Sequence, residues 1–393
     1  MSHFGFHTLA LLAVVGMAGP LLAAVPRLGI PVVVGQLAAG ILVGRTGFGI
    51  VDPGDPTFAL LADIGFALVM FVVGTHVPVR ASALRGALPR AFVRMVLVGA
   101  VAAVLGVALA QLFHTGHAAL YAVLMASSSA ALALPVIDSS ELTGPPVLSV
   151  MAQIAIADTV SIVLLPLVID PSRAPRAALG ALAVAGLAAV LFVALRHFER
   201  SGTRRKLHKY SEKHALALEL RISLIMLFGL AALAISTHVS VMLAGFALGL
   251  VIAAIGEPRR LARQLFGITE GFFAPLFFVW LGASLQVREL ADNPMFIVLG
   301  VALGLGAVAA HLAGGLMTGQ PAALSGLASA QLGVPVAAAT LGTVQQLLAP
   351  GEPSALILGA LITVVVTSLA GRAAAQRFRA APGSSPDSSR TPA

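Results

Sequence analysis

One carboxylate sits inside a long apolar run. The stretch QIAIADTVSIVLLP, Gln153 to Pro166, places Asp158 with about ten apolar or small residues on either side. An aspartate at the middle of a membrane helix costs ~2.5–3.5 kcal/mol on insertion scales, so a chain that keeps one needs a partner for it or a use. No cationic residue lies one helical turn away, which excludes a local ion pair. Desolvation disfavours the ionised form. Such a group can take up a proton near physiological pH, and a bound monovalent cation can replace that proton. A purely structural aspartate, protonated and hydrogen-bonded, is the competing reading.

An alkali cation stripped of water wants several oxygens and no soft ligand. The stretch LMASSSAALALPVI supplies Ser127, Ser128 and Ser129 ahead of Pro135, and Thr159 follows Asp158. Each hydroxyl could instead bond back to its own helix. A second stretch, GLASAQLGVPVAAATLG, carries small and hydroxyl residues before Gly333 and Pro335. Proline removes a backbone donor and displaces the carbonyl one turn back. Within lipid that is tolerated only where the freed groups are buried in protein or line a cavity. Two matched interruptions point to a transporter's midplane site, where unwound carbonyls and helix-end charges meet. Gln153 could stand behind Asp158 or simply pack in the core. Asp63, Glu219, Arg221 and Glu270 read as snorkelling or structurally paired.

The elements that hold these groups follow from composition. Apolar residues make up 58% and charged residues 10% of 393 positions, far from the quarter charged in soluble domains, and mean hydropathy is +0.98. The sequence divides into thirteen apolar spans: about 6–25, 30–44, 57–74, 92–113, 118–137, 148–169, 177–196, 215–236, 240–255, 265–286, 295–316, 321–343 and 354–371. The long ones have the ~20 residues needed to cross hydrocarbon. The second and ninth are short and require tilt or thinning. With the N-terminus outside and the C-terminus cytoplasmic, inner segments hold 19 Lys and Arg against 4 outside, the positive-inside asymmetry. The formal charge of +8 is therefore topological and does not indicate nucleic acid. Cysteine is absent, which removes thiolate metal sites and cysteine nucleophiles. The first span lacks a basic leader and reads as a helix, not a signal peptide.

The basic stretch RHFERSGTRRKLHKYSEKH, Arg196 to His214, reads as an inner-surface linker facing headgroups. A pH- or lipid-sensing amphipathic helix carrying His197, His208 and His214 is the alternative. The expected organisation is a first membrane repeat plus a linking span over 1–197, the linker over 198–214, a second repeat over 215–371 and a disordered cytoplasmic tail over 372–393. The interrupted spans are each the fifth of six in their half, and an odd number of spans separates the halves, so the second repeat is inverted.

Six separated stretches resemble the cation:proton antiporter-2 group, the Kef-type and NapA-like sodium/hydrogen exchangers. They are PVVVGQLAAGILVGRTGFG, LLADIGFALVMFVVGTHV, MASSSAALALPVI, IADTVSIVLLPLV, HVSVMLAGFALGLVIA and EGFFAPLFFVWLGASL, and they occur in the family's order. The resemblance implies an all-α polytopic fold of about 13 helices with crossed discontinuous helices. It also implies a homodimer whose protomers pair a dimerisation part with a mobile core of spans 4–6 and 11–13. The chain departs from the family where paired carboxylates become Ala157-Asp158, where Gln36 and His76 replace glutamates, and where R-G-E-F becomes Leu332-Gly333-Val334-Pro335. The midplane lysine is also missing: span 11 has no Lys or Arg, and His311 is its only titratable residue.

The expectation is a monovalent cation:proton antiporter of the inner membrane, exchanging Na+ or K+ for H+ one for one and without net charge. Its only required partner is the bilayer, with a homodimer and a separate regulatory subunit as the family's pattern. It needs no cofactor, and no metal beyond the transported ion. A Kef-like potassium efflux system, a sodium-coupled organic anion transporter and a membrane sensor are the rivals. An enzyme is not expected, because spans 5 and 6 contain no histidine and no G-x-S-x-G elbow.

Overall fold

Runs of Leu, Val, Ala and Gly with no polar stripe fold into helices that are apolar all round, as membrane-embedded helices are. The computed structural model describes residues 4–24, 32–76, 82–201, 210, 214, 216–237, 239–256, 259–285, 288, 290 and 293–378. The helices are α1 (Phe6–Gly16), α2 (Ala18–Ala23), α3 (Val32–Val43), α4 (Pro56–His76), α5 (Ser82–Leu112), α6 (Ala118–Ala126), α7 (Ala130–Ser139), α8 (Pro145–Ile169) and α9 (Ala174–Arg200). They continue as α10 (Leu218–Ser236), α11 (Val241–Ile255) and α12 (Arg259–Ile268), which passes through a π turn at Thr269–Phe273 into α13 (Ala274–Ser284). The remainder are α14 (Pro294–Met317), α15 (Ala322–Ala328), α16 (Gly333–Val344) and α17 (Glu352–Phe378). Among the described residues ten segments are long and apolar enough to cross a membrane. Three shorter apolar segments, Val32–Val43, Ala118–Leu134 and Val241–Ile255, fall on the second, fifth and ninth spans of the sequence.

Packing separates a core from a flanking panel. In the core, α5 lies against α6 and α8, and α14 against α17, α6 and α15. In the panel, α3 pairs with α13 and α4 with α11, while α9 bridges to both α8 and α11. The panel pairs meet at glycines. A Cβ added at Gly40 would lie 2.3 Å from the Val279 carbonyl, and one at Gly282 would lie 2.2 Å from that of Leu37. At the other crossing, a Cβ added at Gly249 would lie 2.3 Å from the Phe71 carbonyl, and one at Gly74 2.5 Å from that of Phe246. Spans two and ten thus cross as spans nine and three do, the correspondence two inverted repeats produce.

Two expected boundaries shift. α9 continues through Arg200, past the expected linker start at 198; residues 202–209, 211–213 and 215 lie outside the described residues. α17 continues through Phe378, past the expected tail start at 372. The segment RAAAQRF is a strong helix former, Ala374 is buried, and the Thr143 N–H donates to the terminal Phe378 carbonyl at 2.8 Å. The rest of the tail, 379–393, lies outside the described residues.

Candidate functional site

Both expected interruptions are present. α6 ends at Ala126 and α7 begins at Ala130, leaving Ser127–Ser129 unwound. α15 ends at Ala328 and α16 begins at Gly333, leaving 329–332 between them, of which 330–332 have no helical turn. Neither proline occupies a gap. Pro135 lies inside α7, with its side chain outside the described set, and Pro335 is the third residue of α16. Proline in a first turn removes a donor that has no intrahelical partner there, so the unwound residues come just before it.

The two gaps are fastened to each other. Ser128 Oγ donates to the Ala328 carbonyl at 2.6 Å, and Gln331 Nε2 donates to the Leu124 carbonyl at 2.5 Å. Both carbonyls belong to last turns, where backbone acceptors have no intrahelical partner. The Gln331 N–H donates to Thr363 Oγ1 of α17 at 3.0 Å. The crossing is therefore a bonded frame that joins α6, α15 and α17.

Asp158 enters this frame from α8, which packs against both halves of both interrupted helices. Its side chain is 4% exposed. Its Oδ2 accepts the Ala130 N–H at 3.0 Å. Ala130 opens α7, so the carboxylate faces the positive end of a half-helix. Among the described residues no ion pair reaches Asp158.

The expected ligands divide. Ser127, Ser128 and Ser129 are all buried beside the Ala130 contact; Ser127 Oγ donates to the Leu124 carbonyl at 2.7 Å. Thr159 Oγ1 donates back to the Ala155 carbonyl at 2.7 Å, and Ser161 likewise to Ala157 at 2.6 Å. Each hydroxyl keeps lone pairs after donating. Gln153 is turned toward Arg94, whose guanidinium reaches Gln153 Oε1 at 3.4 Å, Ser149 Oγ at 3.3 Å and Thr318 Oγ1 at 2.7 Å. His311 is buried; its Nδ1 lies 3.0 Å from the Ala307 carbonyl, and Nε2 has no partner among the described residues. Gly333 opens α16 and packs near Met242 and Met70 of the panel. Gln36, in place of a family glutamate, is buried in α3 against Gly19.

Three buried groups are not marked by the sequence. Arg94 lies by sequence among the inner-face charges, yet it is 4% exposed. Gln331 lies in the second gap and carries two of its ties. Glu352, at the start of α17, is fully buried. The polar letters of the second gap pointed toward Gln331; nothing local marked Glu352 as buried.

The model of the family described as sodium/hydrogen exchanger, transmembrane, matches residues 10–375. A putative Na(+)/H(+) antiporter of Bacillus subtilis, YjbQ, is 22% identical over 94% of this chain and 63% of its own length. The glutathione-regulated potassium-efflux protein KefC of Shigella sonnei is 28% identical over 75% of this chain and 48% of its own length. The chain thus spans about half to two thirds of these curated relatives. The sodium proton antiporter MjNhaP1 of Methanocaldococcus jannaschii has the same fold, with TM-score 0.63, 16% identity, and coverage of 94% of this chain and 98% of that one.

Proposed function

Because this chain belongs to the sodium/hydrogen exchanger family, we propose that it exchanges a monovalent alkali cation for a proton across the membrane, with Asp158 holding the two ions in turn. The observation that carries this reading is the buried Asp158 carboxylate against the first N–H of α7, between two interrupted helices bonded to each other. The half-helix end stabilises the ionised carboxylate when the proton leaves. Carbonyls of the gaps and the hydroxyls of Ser127, Ser128, Ser129 and Thr159 stand in for the cation's lost water. One carboxylate neutralises one proton or one monovalent cation, so exchange is one for one and electroneutral. The flanking panel stays fixed while the core carries the site from one face to the other, within a homodimer in the inner membrane whose N-terminus is outside. The likeness to potassium-efflux relatives keeps potassium as the second candidate ion and a separate regulatory subunit as a candidate partner.

The test is a proteoliposome assay with an entrapped pH dye, run with each alkali cation on wild type and Asp158→Asn. Asparagine keeps an oxygen for the Ala130 N–H, so the fold survives while ionisation is lost. Exchange is expected in wild type alone. Equal signals from both proteins would remove Asp158 from the mechanism.

A further inference from the structure

His117 precedes α6, at the opposite end of α5 from Arg94, and its side chain is 26% exposed. Its Nδ1 lies 2.7 Å from Glu352 Oε1. A carboxylate only accepts, so Nδ1 carries the proton between them. The same Oε1 accepts the Tyr121 hydroxyl at 2.7 Å, and Oε2 accepts the Ala349 N–H at 3.0 Å. Glu352 is fully buried, and a buried carboxylate needs a countercharge.

Nothing else described nearby supplies that charge. The turn after α5 contributes the exposed His114, residues 345–351 contain no titratable side chain, and the first turns of α14 carry none. α6 contributes only Tyr121, edge-on to the His117 ring at 6.3 Å.

The cluster acts on the Asp158 frame through two helices. α6 and α17 are tied at one end by His117 and Tyr121 to Glu352, and at the other by Gln331 between Leu124 and Thr363. Seven residues, a helical rise of about 10 Å, separate His117 from Leu124.

We propose that His117, Tyr121 and Glu352 form a second proton-binding site, whose proton clamps α6 to α17 and whose loss loosens the half-helix leading into the first gap. The hydrogen bond it donates to Glu352 holds His117 above its ordinary pKa of 6.5. The ion pair therefore stabilises the fold fully below the ordinary value, and that contribution fades as pH rises through the raised one. The transport consequence rests on the exchanger reading; the proton site itself does not.

Two variants of the full chain separate these. His117→Gln is never charged, and His117→Lys always is, with an ammonium that can reach Glu352. Thermal unfolding from pH 5 to 9 is expected to fall in wild type by on the order of 2 °C per pH unit above the ordinary histidine value. His117→Lys lacks that part of the fall, and His117→Gln lacks it and is lower at acid pH. Parallel slopes in wild type and His117→Lys would overturn the proton site, whether or not the protein transports. Exchange at fixed lumenal pH should decline with rising bath pH in wild type and lose that limb in His117→Lys. Identical bath-pH profiles would overturn the link to the gap.

Discussion

Ser128 and Ala328 stand two hundred positions apart, and the hydroxyl of one meets the carbonyl of the other at 2.6 Å, each at the point where its helix breaks off. This contact makes one site of two interruptions, because each gap donates a hydrogen bond to a last-turn carbonyl of the other. Ser128→Ala leaves the Ala328 carbonyl buried without its donor, at a cost of about 1–3 kcal/mol. Denaturation midpoints in detergent should fall accordingly, and exchange should fall with them. Ser128→Thr keeps the donor and is expected to recover most of both.

Gln331 spans the frame with its side chain on Leu124 and its backbone on Thr363. Gln331→Leu removes one donor from the Leu124 carbonyl, which keeps those of Ser127, and should cost about 0.5–1.5 kcal/mol; Thr363→Val leaves the buried Gln331 N–H without its acceptor and should cost about 1–3 kcal/mol. The double variant should fall short of the sum, because both act on one bonded unit. A double-mutant cycle on unfolding free energies checks this; strict additivity would mean that the two ends work independently.

The glycine crossings give a graded test of the panel. Gly40→Ala and Gly249→Ala drive a methyl to 2.3 Å from a backbone carbonyl, which cannot swing aside as a side-chain tip can. Each should cost about 1–3 kcal/mol. Gly99 and Gly186 meet nothing within 4 Å, so alanine there should stabilise by about 0.4–1 kcal/mol. Thermal unfolding of the four single variants decides the order, and equal losses at all four would contradict the close approach.

The sequence shows its helices clearly because lipid-facing and core-facing positions are both apolar, so hydropathy alone delimits them. Asp158 was equally visible, as the one acid far from either interface. The gaps were readable in kind but displaced in place: Pro335 caps a half-helix from inside its first turn and leaves the unwinding to the residues before it. Arg94, Glu352 and the partners of Gln331 could not be read, since each is buried by a helix remote in sequence. Local letters at Arg94 resemble the basic foot of any inner helix end. Only the approach of Thr318 and Gln153 turns it into an interior group.

The charge carried per cycle is open to direct measurement. Moving one net charge across the membrane is worth ~2.3 kcal/mol per 100 mV, roughly a 50-fold change in the driving ratio. Among the described residues the Asp158 carboxylate is the single acid at the crossing, and α14 supplies no lysine or arginine to titrate against it. Cation-driven proton flux in proteoliposomes should therefore stay level when a potential is imposed with an ion the carrier does not move. A flux that follows the imposed potential would require a second titrating group in the cycle, and buried His311, with Nε2 unpartnered, is the group to substitute next. His311→Phe would then be expected to abolish the potential dependence while Asp158→Asn abolishes exchange altogether.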